Sequence, residues 1–139
     1  MRAISIKAVL LATLAVLGVD FLLGMVLIGL FAPELNSAMT DEQVRQTVER
    51  LLNDREYLLL SFVFGTGTTV LGGYLAARLG RIVPYFHALA FGLLSIVLGL
   101  LTAAQIPTWY HTVGILITVP AALVGAHIAK RQAHRIGNG

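Results

Sequence analysis

The sequence predicts an all-α integral membrane protein, a four-helix transmembrane bundle with a short amphipathic helix in the first loop. Three observations carry this. Hydrophobic residues make up 57% and charged residues only 12% of the chain, where charged residues make up about a quarter of a soluble domain. Mean hydropathy is +0.82. Four apolar stretches each exceed the ~20 residues that cross ~30 Å of hydrocarbon at ~1.5 Å per residue. At 139 residues the chain is expected to be a single transmembrane domain, 1–139.

The first span covers about residues 8–31, broken only by Thr13 and Asp20. Arg2 and Lys7 precede it. The stretch is too long for a signal-peptide core of about 7–15 residues, and no A-x-A site follows, so an uncleaved span is expected. Pro33 lies just past its end, where proline does least harm. The second span covers about 57–79, the third about 83–104 and the fourth about 106–129. Pro84 suits a first helical turn, and Pro120 should bend the fourth helix. None of the spans alternates as a barrel strand would.

Orientation follows from the distribution of Lys and Arg. Arg2, Lys7, Arg78, Arg81, Lys130, Arg131 and Arg135 fall on one side, against Arg45, Arg50 and Arg55 on the other. That bias predicts cytoplasmic N- and C-termini in a bacterial inner membrane. Trp109 and Tyr110 then belong to the outer aromatic belt and Tyr85 to the inner one. The pI near 9.7 reflects these flanking groups, and no nucleic-acid partner is expected. Thr40-Asp41-Glu42-Gln43 reads as a capping box. Val44, Val48, Leu51 and Leu52 follow at helical spacing, predicting an amphipathic outer helix over about 41–54.

Small residues mark helix contacts in lipid, because close backbone approach replaces the hydrophobic drive. The second span carries two ridges, Gly65-Thr69-Gly73-Ala77 and Thr68-Gly72-Ala76-Gly80. The third carries Ala88, Gly92, Ser95, Gly99 and Ala103. Gly114, Thr118, Ala122 and Ala126 line the fourth, with Ala121, Gly125 and Ala129 alongside. These faces fit a tight bundle and also a homo-oligomer through the second to fourth helices; both stay open.

Asp20 is the one acidic or basic residue well inside a span, a placement that costs about 2.5–3.5 kcal/mol on insertion scales. Helical rise sets it ~18 Å from the inner end of its span, level with Gly67, Ser95 and Thr118. Thr66, Thr68, Thr69, Ser95 and Thr118 would then form a polar layer around its carboxyl group, with no cation at that depth. Two readings follow: a structural clasp hydrogen-bonded to Thr or backbone, or a carboxylate coupling proton or cation movement.

A second candidate cluster, Tyr74, Arg78, His87 and His127, falls near the cytoplasmic ends. Two histidines at one depth suit haem or metal ligation. Yet no His-x-x-x-His or Glu-x-x-His pair and no third ligand accompany them, so neither metal nor cofactor is expected. The chain has no cysteine, which excludes thiolate chemistry. Gly65-Thr66-Gly67 lacks the strand-to-helix context of a phosphate loop. No nucleophile set emerges, and no enzyme is expected. The leading expectation is a structural or accessory inner-membrane protein whose main partner is the bilayer. A small proton-coupled transporter using Asp20 is the alternative.

Val19-Asp20 and the stretch Gly72-Gly73-Tyr74-Leu75-Ala76-Ala77-Arg78-Leu79-Gly80 resemble a widespread group of small four-helix bacterial integral membrane proteins. The resemblance implies membrane location and architecture, and carries no chemistry. In layout the chain is also similar to small multidrug-resistance transporters, which have four helices and a carboxylate in the first. It departs from them in having Asp as that carboxylate, a long helical first loop, and no aromatic partner at substrate depth on the third span.

Overall fold

The structure, a computed structural model, describes residues 5–80, 83–102 and 106–137. Arg2, Arg81, Ala103 and Ala104, which enter the orientation count, the ridges and the third span, lie outside the described residues. Five α-helices and no strand are found among the described residues: α1 (Ile6–Phe31), α2 (Asp41–Asn53), α3 (Arg55–Gly80), α4 (Pro84–Thr102) and α5 (Thr108–Gly137). All except α2 are long and apolar enough to cross a membrane.

Each boundary has a local cause. Ser5 caps α1, its hydroxyl accepting from the Ala8 amide at 3.4 Å. Thr40 and Gln43 form the reciprocal capping box of α2: the Thr40 amide donates to Gln43 Oε1 at 2.9 Å and the Gln43 amide to Thr40 Oγ1 at 3.4 Å. The break between α2 and α3 falls at Asp54, whose carboxylate accepts from the Tyr57 amide at 2.9 Å. Pro84 opens α4, where its missing amide proton is not needed. Pro120 lies within one continuous α5, which runs well past the apolar stretch into the Lys130–Arg131 region.

α3 is the central helix. It packs against α1, α4 and α5 and touches α2, and its most extensive partner is α5. α4 packs against α5 and α3 and, less extensively, α1. The long helices therefore stand at the corners of a rhomb, with α3 and α4 across its short diagonal. Packing differs between the two ends of the bundle. In the half nearer the chain termini, Val9, Ala12, Val16, Ala76, Ala77, Ala88, Phe91, Ala122, Ala126 and Ala129 form one buried cluster. Here the small residues do what their spacing predicts. A methyl group on Gly73 would collide with the Ala122 carbonyl, and one on Gly125 with the Val70 carbonyl and Tyr74 amide. The backbones of α3 and α5 therefore meet with no side chain between them. Toward the α2 end the helices part, and a methyl group on Gly65, Gly67, Gly99 or Gly114 would meet nothing within 4 Å.

α2 carries its buried residues, Thr47 and Leu51, on one side. Arg50 on α2 pairs with Glu34 in the preceding loop. Arg45 bridges Glu42 and Glu49, both at 2.6 Å. The Glu34 carboxyl is held below its ordinary value by its own backbone amide and by Arg50. The Glu42 carboxyl is likewise lowered, by Arg45 first and then Gln46. Lowered carboxyl values mean that these contacts are fully present above the ordinary 4.5 and are lost as pH falls through the lower folded-state values. Amide exchange in α2, corrected for its intrinsic rate, is therefore expected to quicken on acidification below that point while α3 stays protected. An α2 whose corrected exchange is flat with pH would refute this.

Candidate functional site: an oxygen-lined cavity at Asp20

Where the helices part, they leave a cavity of about 240 Å³ that is open on one side. At ~30 Å³ per water molecule it would hold roughly eight waters. α1 contributes Val16 and Asp20; α3 contributes Phe62, Gly65, Thr66 and Thr69. Ser95 comes from α4, and Tyr110, Gly114, Ile117, Thr118 and Ala121 from α5. Five of the six residues placed by helical rise in one polar layer, Asp20, Thr66, Thr69, Ser95 and Thr118, thus share one cavity wall. Thr68 is buried between the helices instead and stands beside the Asp20 carboxyl group. Asp20 itself is exposed.

Apart from that of Ser95, the hydroxyl protons in this wall are already committed. Thr66 donates to the Phe62 carbonyl at 2.8 Å, Thr69 to that of Gly65 at 2.7 Å, and Thr118 to that of Gly114 at 2.7 Å. A carbonyl cannot donate, so the direction of each bond is certain. Ser61 donates to the Leu58 carbonyl at 3.0 Å. Its 3.2 Å contact with Tyr110 must therefore use the Tyr110 proton. What faces the cavity is a set of hydroxyl lone pairs, the Ser95 hydroxyl and one carboxyl group, with no Lys, Arg or His among its lining residues.

Tyr110, which reads in the sequence as an interfacial belt residue, also lines the cavity, edge-on to Phe62 with ring centroids 5.8 Å apart. Gly65 and Gly114 read as packing residues, and here they leave space. Their recurrence four residues before Thr69 and Thr118 is the only sign of this in the sequence. A second gap of about 190 Å³ between α4 and α5 shares Ser95, Tyr110, Gly114 and Thr118 with the first. It is mostly apolar, lined also by Ile96, Leu100, Ile106 and Ile115, with His111 among its lining residues.

The cluster Tyr74, Arg78, His87 and His127 does not come together. Tyr74 donates to Gln132 Oε1 at 2.7 Å and accepts from Arg78. His127 Nδ1 pairs with the Tyr85 hydroxyl at 3.1 Å, and Lys130 lies over the Tyr85 ring. His87 is fully buried elsewhere. Its Nε2 accepts from the Ser5 amide at 2.9 Å. That leaves the ring proton on Nδ1, which donates to the Val83 carbonyl at 2.9 Å. With both nitrogens engaged, His87 has no lone pair left for a metal or haem. No group of three or more potential ligands occurs among the described residues.

No protein-family model, no curated protein and no solved structure matches this chain.

Proposed function

We propose that the protein is a small bacterial inner-membrane transporter, with both termini cytoplasmic, in which Asp20 exchanges a proton as solute enters and leaves the cavity. The observation that carries this reading is the open, oxygen-lined cavity beside the carboxyl group of Asp20, an acidic residue well inside an apolar stretch of the sequence. An enclosed clasp would have the surrounding hydroxyls donate to the carboxyl oxygens; here the cavity is open, Thr66, Thr69 and Thr118 donate to their own helices, and Thr68 alone reaches the Asp20 carboxyl. On the side of the chain termini the bundle is closed by the glycine-mediated packing of α3 with α4 and α5. The broad apolar surface of α1, including Leu14, Phe21, Leu22 and Met25, suits contact with lipid. α2, with its charged side outward, suits a position at the headgroups.

A second reading, a structural or accessory membrane protein, is favoured by the close packing of the terminal half. Buried glycine and alanine seams of that kind serve rigidity as well as gating. A homo-oligomer would use the faces left free, because Gly72, Gly73, Ala76, Ala122 and Ala126 are consumed within the chain.

Infrared titration of the carboxyl band in reconstituted vesicles separates the readings. Wild type is expected to show a band that disappears reversibly within the physiological pH range, and Asp20→Asn is expected to lack it while keeping its fold. A wild-type carboxyl that stays protonated throughout that range, with no proton release under an imposed gradient, would refute the transporter reading.

A further inference from the structure

We propose that Arg78, Tyr74 and Gln132 form a headgroup site for an anionic phospholipid, its phosphate held at the terminal end of the seam between α3 and α5. The inference is independent of transport and needs only that the long helices cross a membrane.

Hydrogen-bond direction decides the kind of ligand. Arg78 donates through Nη1 to the Tyr74 hydroxyl, and that hydroxyl passes its own proton to Gln132 Oε1 at 2.7 Å. The guanidinium also lies against the Tyr74 ring, 5.7 Å from its centroid. The acceptors in this chain of bonds are thereby used, and both of its ends are donors: Arg78 Nη2 and Nε at one, the Gln132 side-chain NH2 at the other. No further partner for either side chain is found among the described residues, and both are exposed. An arginine fork matches two oxygens of a phosphate, and tethering one N–H to Tyr74 orients it before anything binds. Arg78 lies in the last turn of α3, where the helix dipole favours a cation but gives its remaining N–H groups no directed partner.

Charge selects an anion. Every Asp and Glu of the chain lies within residues 20–56; Arg78 and all of α4 and α5 lie outside that range. No ion pair to Arg78 occurs among the described residues. Lys130 and Arg131, on the same turn of α5 as Gln132 and both exposed, add positive charge that attracts anionic lipid.

Position selects a lipid over free phosphate. Leu71 stands one turn before Tyr74 on α3, and Ile128 one turn before Gln132 on α5. Each is 40% exposed. Between the two helices lies Gly125, seated on the Val70 carbonyl and the Tyr74 amide with no side chain of its own. An acyl chain lying along Leu71 and Ile128 would bring its phosphate to the level of Arg78. A zwitterionic headgroup carries an ammonium group that the surrounding cations repel, so a net-negative lipid is the better complement.

The test uses the full chain in dodecyl maltoside, stripped of native lipid and titrated with phosphatidylglycerol, phosphatidylcholine or inorganic phosphate. Native mass spectrometry counts bound lipids, and the melting temperature reports folding. Phosphatidylglycerol is expected to fill one preferred site saturably, several-fold more tightly than phosphatidylcholine. Arg78→Gln should weaken it by about tenfold, the scale of a lost charge-assisted contact. Tyr74→Phe keeps the ring and the charge but frees the guanidinium, and should weaken binding by a smaller factor. Arg131→Gln removes the same net charge nearby and should cost clearly less than Arg78→Gln. Equal losses in those two variants would mean diffuse attraction and overturn the site. Equal binding of phosphatidylcholine, or displacement of phosphatidylglycerol by millimolar inorganic phosphate, would overturn the choice of an anionic lipid. Should Arg78→Gln fold poorly, Tyr74→Phe carries the test, and unchanged binding there would sink the proposal equally.

Discussion

Replacing Gly73 or Gly125 with alanine should unfold or disassemble the bundle, although each change adds one methyl group. At both positions the new carbon would meet main-chain atoms of the facing helix: the Ala122 carbonyl in one case, the Val70 carbonyl and Tyr74 amide in the other. A side chain can rotate away from a collision; a helical backbone has to move as a body. Separating α3 from α5 would loosen the most extensive helix pair in the molecule. The expected cost is therefore at or above the upper end of the ~1–3 kcal/mol typical of overpacking. Gly72→Ala offers an internal contrast, since its methyl group would meet the Phe91 ring. Shortening that ring with Phe91→Leu should recover part of the loss, whereas no single side-chain change should rescue Gly73→Ala. Gly65→Ala and Gly114→Ala, with open space around them, should fold like wild type. Thermal unfolding in detergent, followed by size-exclusion recovery, measures all six. Equal tolerance of Gly65→Ala and Gly73→Ala would show that α3 and α5 are not in backbone contact.

His87→Ala should be the most damaging single truncation at the terminal end. The ring is fully buried and joins three helices at once. It holds the α1 N-terminus through the Ser5 amide, binds the Val83 carbonyl before α4, and fills the space beside Gly80 on α3. Truncation would remove a large buried side chain, worth about 2–5 kcal/mol in comparable core changes. It would also leave the Ser5 amide without its partner, at about 1 kcal/mol, because this bond is only part-buried and Ser5 is exposed to water. These figures overlap, and a loss of about 3 kcal/mol or more is expected from the melting transition. His87→Gln tests the hydrogen bonds apart from the volume. Its Oε1 reaches the position of Nε2 and can accept from Ser5, so it should recover much of the loss. His87→Leu restores bulk without an acceptor and should recover less. A His87→Leu variant more stable than His87→Gln would show that packing alone holds this corner together.

The sequence by itself determined which segments are helices and that four of them are long and apolar enough to cross a membrane. Those properties depend on runs of neighbouring residues: apolar length, the absence of charge, and caps such as Thr40 with Gln43. Helical rise also brought Asp20, Thr66, Thr69, Ser95 and Thr118 to one level, because distance along a straight helix is a count of residues. Only the tertiary structure decided what that level contains. The ridges of the second and fourth spans look alike along their whole length, yet Gly73 and Gly125 seat against facing backbone while Gly65 and Gly114 border a cavity. Spacing reports the face a residue occupies, and the separation of the facing helix decides whether that face is filled. The same holds for the histidines. His87 and His127 share a depth in the sequence, but depth leaves rotation about each helix axis free, and rotation set one against the Ser5 amide and the other against Tyr85. The commitment of the threonine protons to their own helices follows from side-chain rotamers, which no residue count contains, and it is that commitment which leaves lone pairs facing the cavity at Asp20.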